Sequence, residues 1–523
     1  MEEITRDIVI LGGGIGGTIA ALSAAKMGKK VVLTEETDWI GGQLTAQAVP
    51  PDEHKWIEEF GCTRTYREFR NSIRDFYLQH YPVSESVKEH KQLNPGNAWV
   101  TRIAHEPLVS LHVLNHMLTP YISSGMIILL LCTKPVKAQL KGNGDFIDYV
   151  LVEHLSSGEW TKLNGKFFID ATECGDLLPL VHAEYVMGAE AKSETEEPHA
   201  RDDGPLPLDM QPITHVAAVD YIEDGNYTIE KPEQYEFWRH YRPEFFSHNQ
   251  LSWYGPDAET GKAKRFSMFP GEGISLWDYR RIIDSSLFKT GFYEGDITLI
   301  NWPQNDYMLG PIYGVSEEER KKHLEGARQL TLSLIYWLQT EAPRPDGGRG
   351  YPGIRLRGDV VGTRDGLAKH PYIRESRRIK ALTTVKEQDI NAELREGMKR
   401  WHNSVGIGAY RIDLHPTTLT HQLFYAPSYP FEIPLGSLIP VRMKNLIAAG
   451  KNIGSTHITN GCFRVHPVEW NIGESAGFLA AFCAEYTLIP FDINYDTEKL
   501  KDFQALLIKQ GIELHWPDKV DIL

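Results

Sequence analysis

Apolar and polar positions near the start of the chain follow one another in the order strand, turn, helix, strand. Residues 7–11 (DIVIL) form a short β-branched apolar run, and the sequence GGGIGG follows it directly. Residues 18–28 (TIAALSAAKMG) then place apolar residues at helical spacing, and residues 29–35 (KKVVLTE) contain a second apolar run. Short apolar runs bounded by turn residues indicate buried strands. The pattern therefore predicts a βαβ unit.

The glycines of this turn have the spacing GxGxxG at Gly12, Gly14 and Gly17, with Gly16 beside them. The first glycine allows a tight turn, the second lets a pyrophosphate approach the backbone, and the third lets the helix lie close to the strand. Free backbone N–H groups at the helix start favour an anion. Glu35 follows Gly17 by 18 residues (35 − 17), close to the roughly 20 expected for the acid that binds a ribose diol. The unit thus predicts a dinucleotide site without a 2′-phosphate.

The middle of the chain, from about residue 190 to residue 431, is rich in Trp, Tyr, Pro and Gly. It contains one clear amphipathic pattern, which predicts a helix from residue 316 to about residue 340, with Ser316 and Glu319 as a capping box. It shows no second GxGxxG between a strand and a helix. We expect a loop-rich cap or substrate domain here rather than a separate nicotinamide-binding domain.

Three later segments concern which dinucleotide is bound. They are a polar glycine loop at residues 41–45 (GGQLT), an apolar strand with its polar end at residues 166–176 (KFFIDATECGD), and a strand and loop at residues 445–452 (NLIAAGKN). A helix is expected to follow the third segment, opening at about residue 472. These segments and the start of the expected helix contain Gly41, Gly42, Gln43, Thr45, Ala171, Thr172, Asn452 and Gly473.

With these segments and with the blocks IGGQLTAQ, DATECGDLLPL and GIGAYRIDLH, the chain resembles the FAD-dependent oxidoreductase family related to glutathione-reductase-type and fumarate-reductase-type flavoproteins. The resemblance implies FAD, contacted by the eight residues just named in the three segments. Non-covalent binding is favoured because IGGQLTAQ contains no His or Cys, although His54 and Cys62 follow a little later and leave covalent attachment open. The resemblance also implies an α/β fold, in which a Rossmann-like, glutathione-reductase-type FAD-binding domain carries an inserted α+β substrate or cap domain. The expected parts are an FAD-binding first part at 1–190, a cap at 191–430, an FAD-binding closing part at 431–490 and a packed C-terminal tail at 491–523.

Charge and cysteine content narrow the function classes. The net charge of −15 opposes an extended nucleic-acid surface, and no apolar run approaches the roughly 20 residues that cross a bilayer. Five widely spaced cysteines without CxxC indicate neither a disulfide framework nor a metal site, which fits a reducing cytoplasm. We expect a small-molecule substrate, whereas the electron acceptor and homo-oligomerisation stay open.

Histidines supply the candidate catalytic bases, because hydride transfer from a C–OH or C–N bond requires a base for the heteroatom proton. His457 and His466 are expected in a loop that passes the flavin, and they are the leading pair. Asp413 and His415, in the run RIDLHP, are second candidates. The competing interpretation for each is a hydrogen-bonded structural residue.

Arginines in the run YIRESRRIK supply a candidate anion clamp. Arg374 is spaced from Arg377 and Arg378 as on one face of a helix. A guanidinium pair there would bind a substrate carboxylate or the flavin pyrimidine oxygens. A solvated, salt-bridged helix face is the competing interpretation.

The sequence thus predicts an FAD-dependent dehydrogenase or oxidase that transfers a hydride between flavin N5 and a small polar substrate, such as a carbohydrate-like alcohol or an amine. Two alternatives stay open. One is a flavoprotein acting on tRNA, which the net charge of −15 opposes. The other is an enzyme that uses its flavin without net redox change.

Overall fold

A five-stranded parallel sheet forms the centre of the protein, in a computed structural model that describes residues 2–271, 274–518 and 520–523. Parallel strands with both faces covered consist of continuous apolar runs, and four of the five strands are buried along their whole length. In spatial order the strands are Leu446–Ala448, Phe167–Asp170, Ile8–Leu11, Val31–Thr34 and Ile127–Leu130.

Two helices, Ile15–Lys26 and His466–Tyr486, cross closely beside this sheet. The crossing depends on glycine, because a Cβ atom on Gly473 would lie 2.2 Å from the carbonyl oxygen of Gly16. The crossing therefore fixes the last long helix against the helix that follows the GxGxxG turn. The helices Pro490–Tyr495 and Thr497–Gln510 continue the chain and pack against the last long helix.

A second sheet of four strands accompanies the parallel sheet. Its order is Glu2–Thr5, Trp160–Asn164, Phe146–His154 and Thr133–Lys141, with the first pair parallel and the other two antiparallel. The helices Arg64–His80 and Pro107–Ser123 pack against each other, and the second of them reaches the parallel sheet. This arrangement of parallel sheet, covering helices and antiparallel sheet agrees with the predicted Rossmann-like α/β class.

The middle of the chain builds an antiparallel sheet with its own hydrophobic cluster. The strands in order are Arg281–Ile283, Ile297–Ile300, Ala217–Tyr221 and Ile354–Leu356. The helix Glu317–Thr340 packs on this region, and Ser316 and Glu319 form the predicted capping box at its start. The boundaries at residues 190, 430 and 490 stay predictions.

The remaining elements are short. The other strands are Tyr185–Val186, Ile213–Thr214, Tyr254–Pro256, Ala263–Ser267, Ile274–Ser275, Asp306–Tyr307, Arg378–Ile379, Ser404–Gly408, Ile412–Leu414, Phe424–Ala426 and Phe431–Pro434. The other helical segments are Gly42–Leu44, Glu85–Lys88, Leu177–Leu180, Lys192–Thr195, Tyr235–His240, Ser285–Leu287, Pro303–Asn305, Gly358–Val361, Glu387–Ile390, Leu435–Leu438 and His457–Phe463. Within the described residues, no helix combines the length and apolar character needed to traverse a bilayer.

Two local predictions were wrong. The last long helix begins at His466 rather than near residue 472, with Pro467 in its first turn, where proline is favoured. The run of arginines from Arg374 to Arg378 is not helical, and Arg378–Ile379 instead pairs as a strand with Tyr185–Val186. Helical spacing failed there because each guanidinium pairs with a carboxylate that is distant in the sequence, although Arg378 also pairs with the nearby Glu375.

Candidate active site

The GxGxxG turn joins the strand Ile8–Leu11 to the helix Ile15–Lys26, which begins directly after Gly14. Three of its glycines are required by packing. A Cβ atom would lie 2.4 Å from Ala171 O at Gly12, 1.7 Å from Ala449 O at Gly16 and 1.8 Å from Gly12 O at Gly17. At Gly14 the nearest atom to a Cβ belongs to a side chain instead, so this glycine leaves backbone open to a ligand.

Glu35 ends the second strand of the βαβ unit and lies beside the glycine turn. Its Oε2 accepts a hydrogen bond from Gly13 N (2.9 Å), and its Oε1 accepts one from Thr37 N (2.8 Å). Burial raises the pKa of this carboxyl to about 8, although Thr37 works in the opposite direction. The carboxyl is therefore fixed at the position where the sequence predicts the ribose diol.

The polar glycine loop is attached to the same turn, since Gly41 N donates to Gly13 O (2.7 Å). Gly41 and Gly42 have φ angles of +101° and +50°, a region that favours glycine. Gln43 Nε2 donates to the carbonyl oxygen of Arg464 (3.0 Å), which connects this loop to the segment before the last long helix. Thr45 Oγ1 donates to Ile40 O (2.6 Å) and stabilises the loop itself.

The third strand of the site ends in a short polar network. Thr172 Oγ1 donates to Asp170 Oδ1 (2.7 Å), and burial raises the pKa of Asp170 to about 7. Ala171 N donates to Leu11 O (2.8 Å), which continues the sheet up to the glycine turn. Asn452 Nδ2 donates to Asp170 O (2.9 Å). Asn452 thus connects two strand ends, a structural contact that the sequence did not predict.

These segments converge on one small cavity of about 40 Å³. The residues that line it include Gly12, Gly14, Glu35, Gly42, Ala171, Thr172 and Glu173, together with Lys134 and His370. Gly473 is not among these residues, because it lies in the middle of the last long helix against Gly16. Its expected contact with the cofactor is therefore corrected to a helix-packing role.

The segments fit a flavin nucleotide. Three buried side-chain atoms on them have no hydrogen-bond partner among the described residues, namely Gln43 Oε1, Asp170 Oδ2 and Asn452 Oδ1. Buried polar atoms are normally paired. Unpaired acceptors beside a glycine turn and a helix N-terminus are suited to the hydroxyl and N–H groups of a bound nucleotide.

A larger cavity of about 490 Å³ lies over the middle of the chain. Its walls include eight aromatic side chains, and its polar lining includes four carboxylates, three side-chain amides and one histidine. The aromatic lining residues are Trp99, Phe245, Phe246, Tyr254, Phe266, Tyr279, Tyr410 and Tyr425, and the polar ones include Asn249, Gln250, Asp257, Gln304, Asp306, Asp413 and His415. A concave aromatic site with a few converging polar groups is typical of small-molecule binding.

His415 lies between two carboxylates of this cavity. Its Nδ1 contacts Asp306 Oδ2 at 2.6 Å, and its Nε2 lies 3.6 Å from Asp413 Oδ2. Arg374 pairs with the other oxygen of Asp306 (2.9 Å), and Arg464 pairs with Asp413 (3.2 Å). Asp306 and Arg464 were missed by the sequence analysis. Asp306 begins the short strand Asp306–Tyr307, directly after the helical turn Pro303–Asn305.

Neighbouring positive groups lower the pKa values of both carboxyl groups, Asp306 and Asp413. Burial by itself would raise the pKa of Asp413, but the neighbouring His415 and Arg464 outweigh burial and lower it well below its usual range. For Asp306, burial is likewise outweighed by Arg374 and His415, and its pKa is lowered. Both groups are therefore acceptors near neutral pH, and the trio forms a chain of charge-assisted contacts.

Arg464 links the carboxylates beside His415 to the polar glycine loop, one of the segments that are predicted to bind the flavin. The Arg464 side chain donates to Tyr372 OH (2.6 Å) and Asp413, while its backbone carbonyl accepts from Gln43 Nε2 (3.0 Å). Arg464 is buried, and it lies between the short helix that starts at His457 and the last long helix. One residue therefore connects the large cavity to the polar glycine loop.

The leading histidine pair has two different environments. His466 is satisfied by backbone on both sides, because its Nδ1 accepts from Asp52 N (3.0 Å) and its Nε2–H donates to Val49 O (3.1 Å). Burial lowers its pKa to about 4. The expectation that His466 is a base is thus corrected: it fixes residues 49–52.

His457 starts a short helix rather than lying in a loop. Its Nδ1 contacts Glu375 Oε1 at 2.9 Å, and its buried Nε2 has no hydrogen-bond partner among the described residues. Burial favours the neutral ring, but Glu375 outweighs this effect and raises the pKa of His457. A catalytic role for His457 stays a prediction.

Neither arginine of the expected clamp lines the large cavity. Arg374 binds Pro212 O (2.9 Å) and Asp306, so it positions a carboxylate of the site. Arg377 binds Cys174 O (2.8 Å) and Asp176 (3.1 Å) beside the small cavity. The clamp is therefore corrected to two separate positioning contacts.

Parts of the chain are similar to two known dehydrogenases. A stretch of 62 residues is 44% identical to N,N-dimethylglycine/sarcosine dehydrogenase of Chromohalobacter salexigens, and it covers 12% of this chain and 8% of that protein. The match with the structure of L-proline dehydrogenase from P. horikoshii has 14% identity and a TM-score of 0.17, and covers 37% of this chain and 26% of that one. These two matches span a minor part of either relative.

Longer matches come from two other solved structures. Quinol fumarate reductase of E. coli is 11% identical with a TM-score of 0.36, covering 98% of this chain and 74% of that one. A geranylgeranyl bacteriochlorophyll reductase-like protein from Thermoplasma acidophilum is 11% identical with a TM-score of 0.34, covering 98% and 85%.

The family comparison covers almost the entire chain. Residues 7–507 match the family described as FAD dependent oxidoreductase, and this range includes the glycine turn, both cavities and the last long helix. The protein is therefore a member of the FAD dependent oxidoreductase family, an enzyme whose cofactor is FAD.

Proposed function

We propose that the protein is a dehydrogenase or oxidase that removes two electrons from a small polar substrate bound in the 490 Å³ cavity. The observation that carries this proposal is the placement of His415 between Asp306 and Asp413 in the lining of that cavity. A histidine oriented by carboxylates is suited to accept a proton from a hydroxyl or amino group. FAD supplies the hydride acceptor for such an oxidation.

The proposed proton acceptor is Nε2 of His415. Its Nδ1 is held by Asp306 at 2.6 Å, whereas the distance from Nε2 to Asp413 is 3.6 Å. That longer contact leaves room for a substrate hydroxyl or amine to bind Nε2. Arg374 and Arg464 compensate the two carboxylates, so that no uncompensated buried charge is left beside the substrate.

The lining of the cavity supports a carbohydrate-like alcohol or an amine as substrate. Aromatic rings bind the C–H faces of a sugar ring and also attract an ammonium group. Side-chain amides such as Asn249, Gln250 and Gln304 both donate and accept hydrogen bonds, as a substrate with several hydroxyl or amino groups requires.

Anaerobic reduction of the flavin tests this proposal. Purified holoprotein is mixed without oxygen with panels of sugars, polyols and amines, and the loss of flavin absorbance is followed. We expect bleaching with a substrate of one of these classes. Turnover of an identified substrate while the flavin stays oxidised throughout would instead support the non-redox alternative and contradict the proposal.

The role of His415 is tested with the same assay. His415→Asn should slow flavin reduction by a factor of roughly 10²–10⁴, the usual contribution of a general base, while the bound flavin spectrum stays unchanged. His240→Asn is the matched control, because His240 is exposed and bonds only within its own helix. Equal reduction rates in both variants would exclude His415 as the base.

A further inference from the structure

We infer that the carboxylate of Glu173 and the pyrophosphate of the cofactor compete for the same place on the glycine turn, and that Lys451 exchanges one for the other. Cofactor uptake then requires the Glu173 side chain to leave the turn. This inference concerns the cofactor and does not depend on the proposed substrate or on His415.

The position of Glu173 carries the first step. Its Oε1 lies 2.5 Å from the point where Gly14 would carry a Cβ atom, and 2.7 Å from the corresponding point of Gly42. This oxygen has no hydrogen-bond partner among the described residues. Glu173 therefore fills the space that two glycines keep free of side chains.

That space is the one expected for the pyrophosphate. The second glycine of GxGxxG allows a pyrophosphate to approach the backbone, and Gly14 is the N-cap of the helix Ile15–Lys26. Backbone N–H groups at such a helix start bind one anion. The cavity in front of the turn measures only about 40 Å³ with Glu173 in place.

Lys451 is the buried cation that pairs with Glu173. Its Nζ lies 2.5 Å from Glu173 Oε2 and 3.4 Å from Glu469 Oε2, and its side chain is 1% exposed. Gln43 already donates to Glu469. Once Glu173 leaves, the buried ammonium loses its shorter contact and needs a new anionic partner. A pyrophosphate on the turn supplies that partner.

Glu173 has alternative partners along the same cavity. Lys134 and His370 both line it, and the pKa of Glu173 is lowered because Lys451 and its other neighbours outweigh burial. The side chain thus can move while its carboxylate stays compensated. Before cofactor binding, Glu173 compensates the charge of Lys451 and shields the helix start.

Binding of FAD to protein stripped of its flavin tests the inference by fluorescence quenching. Glu173→Gln removes the competing charge and should lower the Kd by about tenfold, whereas Lys451→Met should raise it by about tenfold, the usual scale for one charged hydrogen bond. The association rate should rise in Glu173→Gln. Glu223→Gln is the control, because Glu223 is an exposed carboxylate that does not line this cavity, and its Kd should change less than twofold.

Two results would overturn the inference. One is a Kd for Glu173→Gln equal to or higher than that of the unchanged protein. The other is an equal gain in affinity for Glu223→Gln, which would indicate an effect of the overall charge of the protein rather than competition at the turn. If Lys451→Met does not fold, as judged by circular dichroism, the ³¹P shift of bound FAD decides: it should change in Lys451→Arg and stay constant if Lys451 does not contact the pyrophosphate.

Discussion

Trp99 is a single residue with an unusual position at the large cavity. Its side chain is 60% exposed, yet it packs against Tyr279 with ring centroids 4.7 Å apart and ring planes tilted by 38°. The Arg280 guanidinium lies 5.0 Å from the same tyrosine ring. An indole held in this way gives a bound substrate a rigid apolar surface without a large entropic cost.

We therefore expect Trp99→Ala to weaken substrate binding. KM should rise about three- to tenfold, matching an aromatic contact of about 0.5–1.5 kcal/mol, while kcat changes little. Steady-state kinetics with the substrate found by flavin reduction measure both constants. Trp160→Ala is the control, because Trp160 is also exposed but lies on the strand Trp160–Asn164, away from the cavity. A larger effect in Trp160→Ala would contradict this role of Trp99.

The low pKa of His466 predicts that its contribution to the free energy of unfolding depends on pH. Its pKa in the folded protein is about 4 because of burial, whereas an unfolded histidine titrates near pH 6.5. As the pH falls from 6.5 to 4, the unfolded state binds the proton first, so His466 loses about 1.4 kcal/mol of stabilisation per pH unit. His466→Asn keeps a neutral acceptor for Asp52 N–H but does not titrate.

Urea unfolding between pH 4.5 and 7.5 measures this effect. The variant should be less stable than the unchanged protein at pH 7, because it loses the bond to Val49 O, and this difference should shrink as the pH falls. A difference in unfolding free energy that stays constant over the range would show that His466 does not remain neutral in the folded protein.

At the scale of elements, the helices Ile15–Lys26 and His466–Tyr486 cross beside the parallel sheet, and this crossing depends on small residues. A Cβ on Gly473 would lie 2.2 Å from Gly16 O, and one on Gly477 would lie 2.3 Å from Ala20 O. Such approaches are too close for any side chain, so a methyl group would force the helices Ile15–Lys26 and His466–Tyr486 apart. The glycine turn moves with the first of these helices.

Gly473→Ala should therefore destabilise the protein by about 1–3 kcal/mol, as overpacking of a core does, and should also weaken FAD binding. Thermal unfolding and FAD titration measure the two effects. The control is Gly348→Ala, because Gly348 is exposed and its nearest neighbours are ends of flexible side chains. If Gly473→Ala is as stable as this control, the helix crossing has room that the structure does not show.

The elements that the sequence predicted well are those set by local pattern. The strand Ile8–Leu11, the turn and the helix Ile15–Lys26 follow from apolar runs and glycine spacing, and the helix Glu317–Thr340 follows from its capping box. The start of the last helix was misplaced because Gly473 resembled an opening glycine, whereas Pro467 marks the true first turn.

The large cavity could not be predicted from the sequence, because its lining residues come from distant parts of the chain. Trp99, Tyr254, Asp306 and His415 are brought together only by tertiary packing, and no local spacing relates them. Arg374 shows the same limit, since its partner Asp306 lies 68 residues away. By contrast, the ribose-binding role that is predicted for Glu35 rests on its local spacing in the sequence, 18 residues after Gly17.

At the scale of the whole molecule, the cofactor site joins three separated parts of the chain. The glycine turn and the polar glycine loop belong to residues 12–47 and the polar strand end to residues 170–176, and both parts line the small cavity. The third segment, residues 445–452, is joined to the second part by Asn452. Hydrogen bonds already connect them, such as Gln43 to Arg464 and Asn452 to Asp170. A ligand that contacts all three parts stabilises the folded state and not the unfolded chain.

We therefore expect FAD to stabilise the protein against unfolding by an amount that grows with the logarithm of the free FAD concentration. At free FAD 100 times above its Kd, linkage adds about 2.7 kcal/mol, and the unfolding midpoint should rise further with each increase in FAD. Riboflavin is the control, because it lacks the pyrophosphate and adenosine that the glycine turn and Glu35 bind, and it should shift the midpoint far less. A midpoint that is unaffected by FAD, or raised equally by riboflavin, would mean that the turn after Leu11 does not hold the nucleotide half of the cofactor.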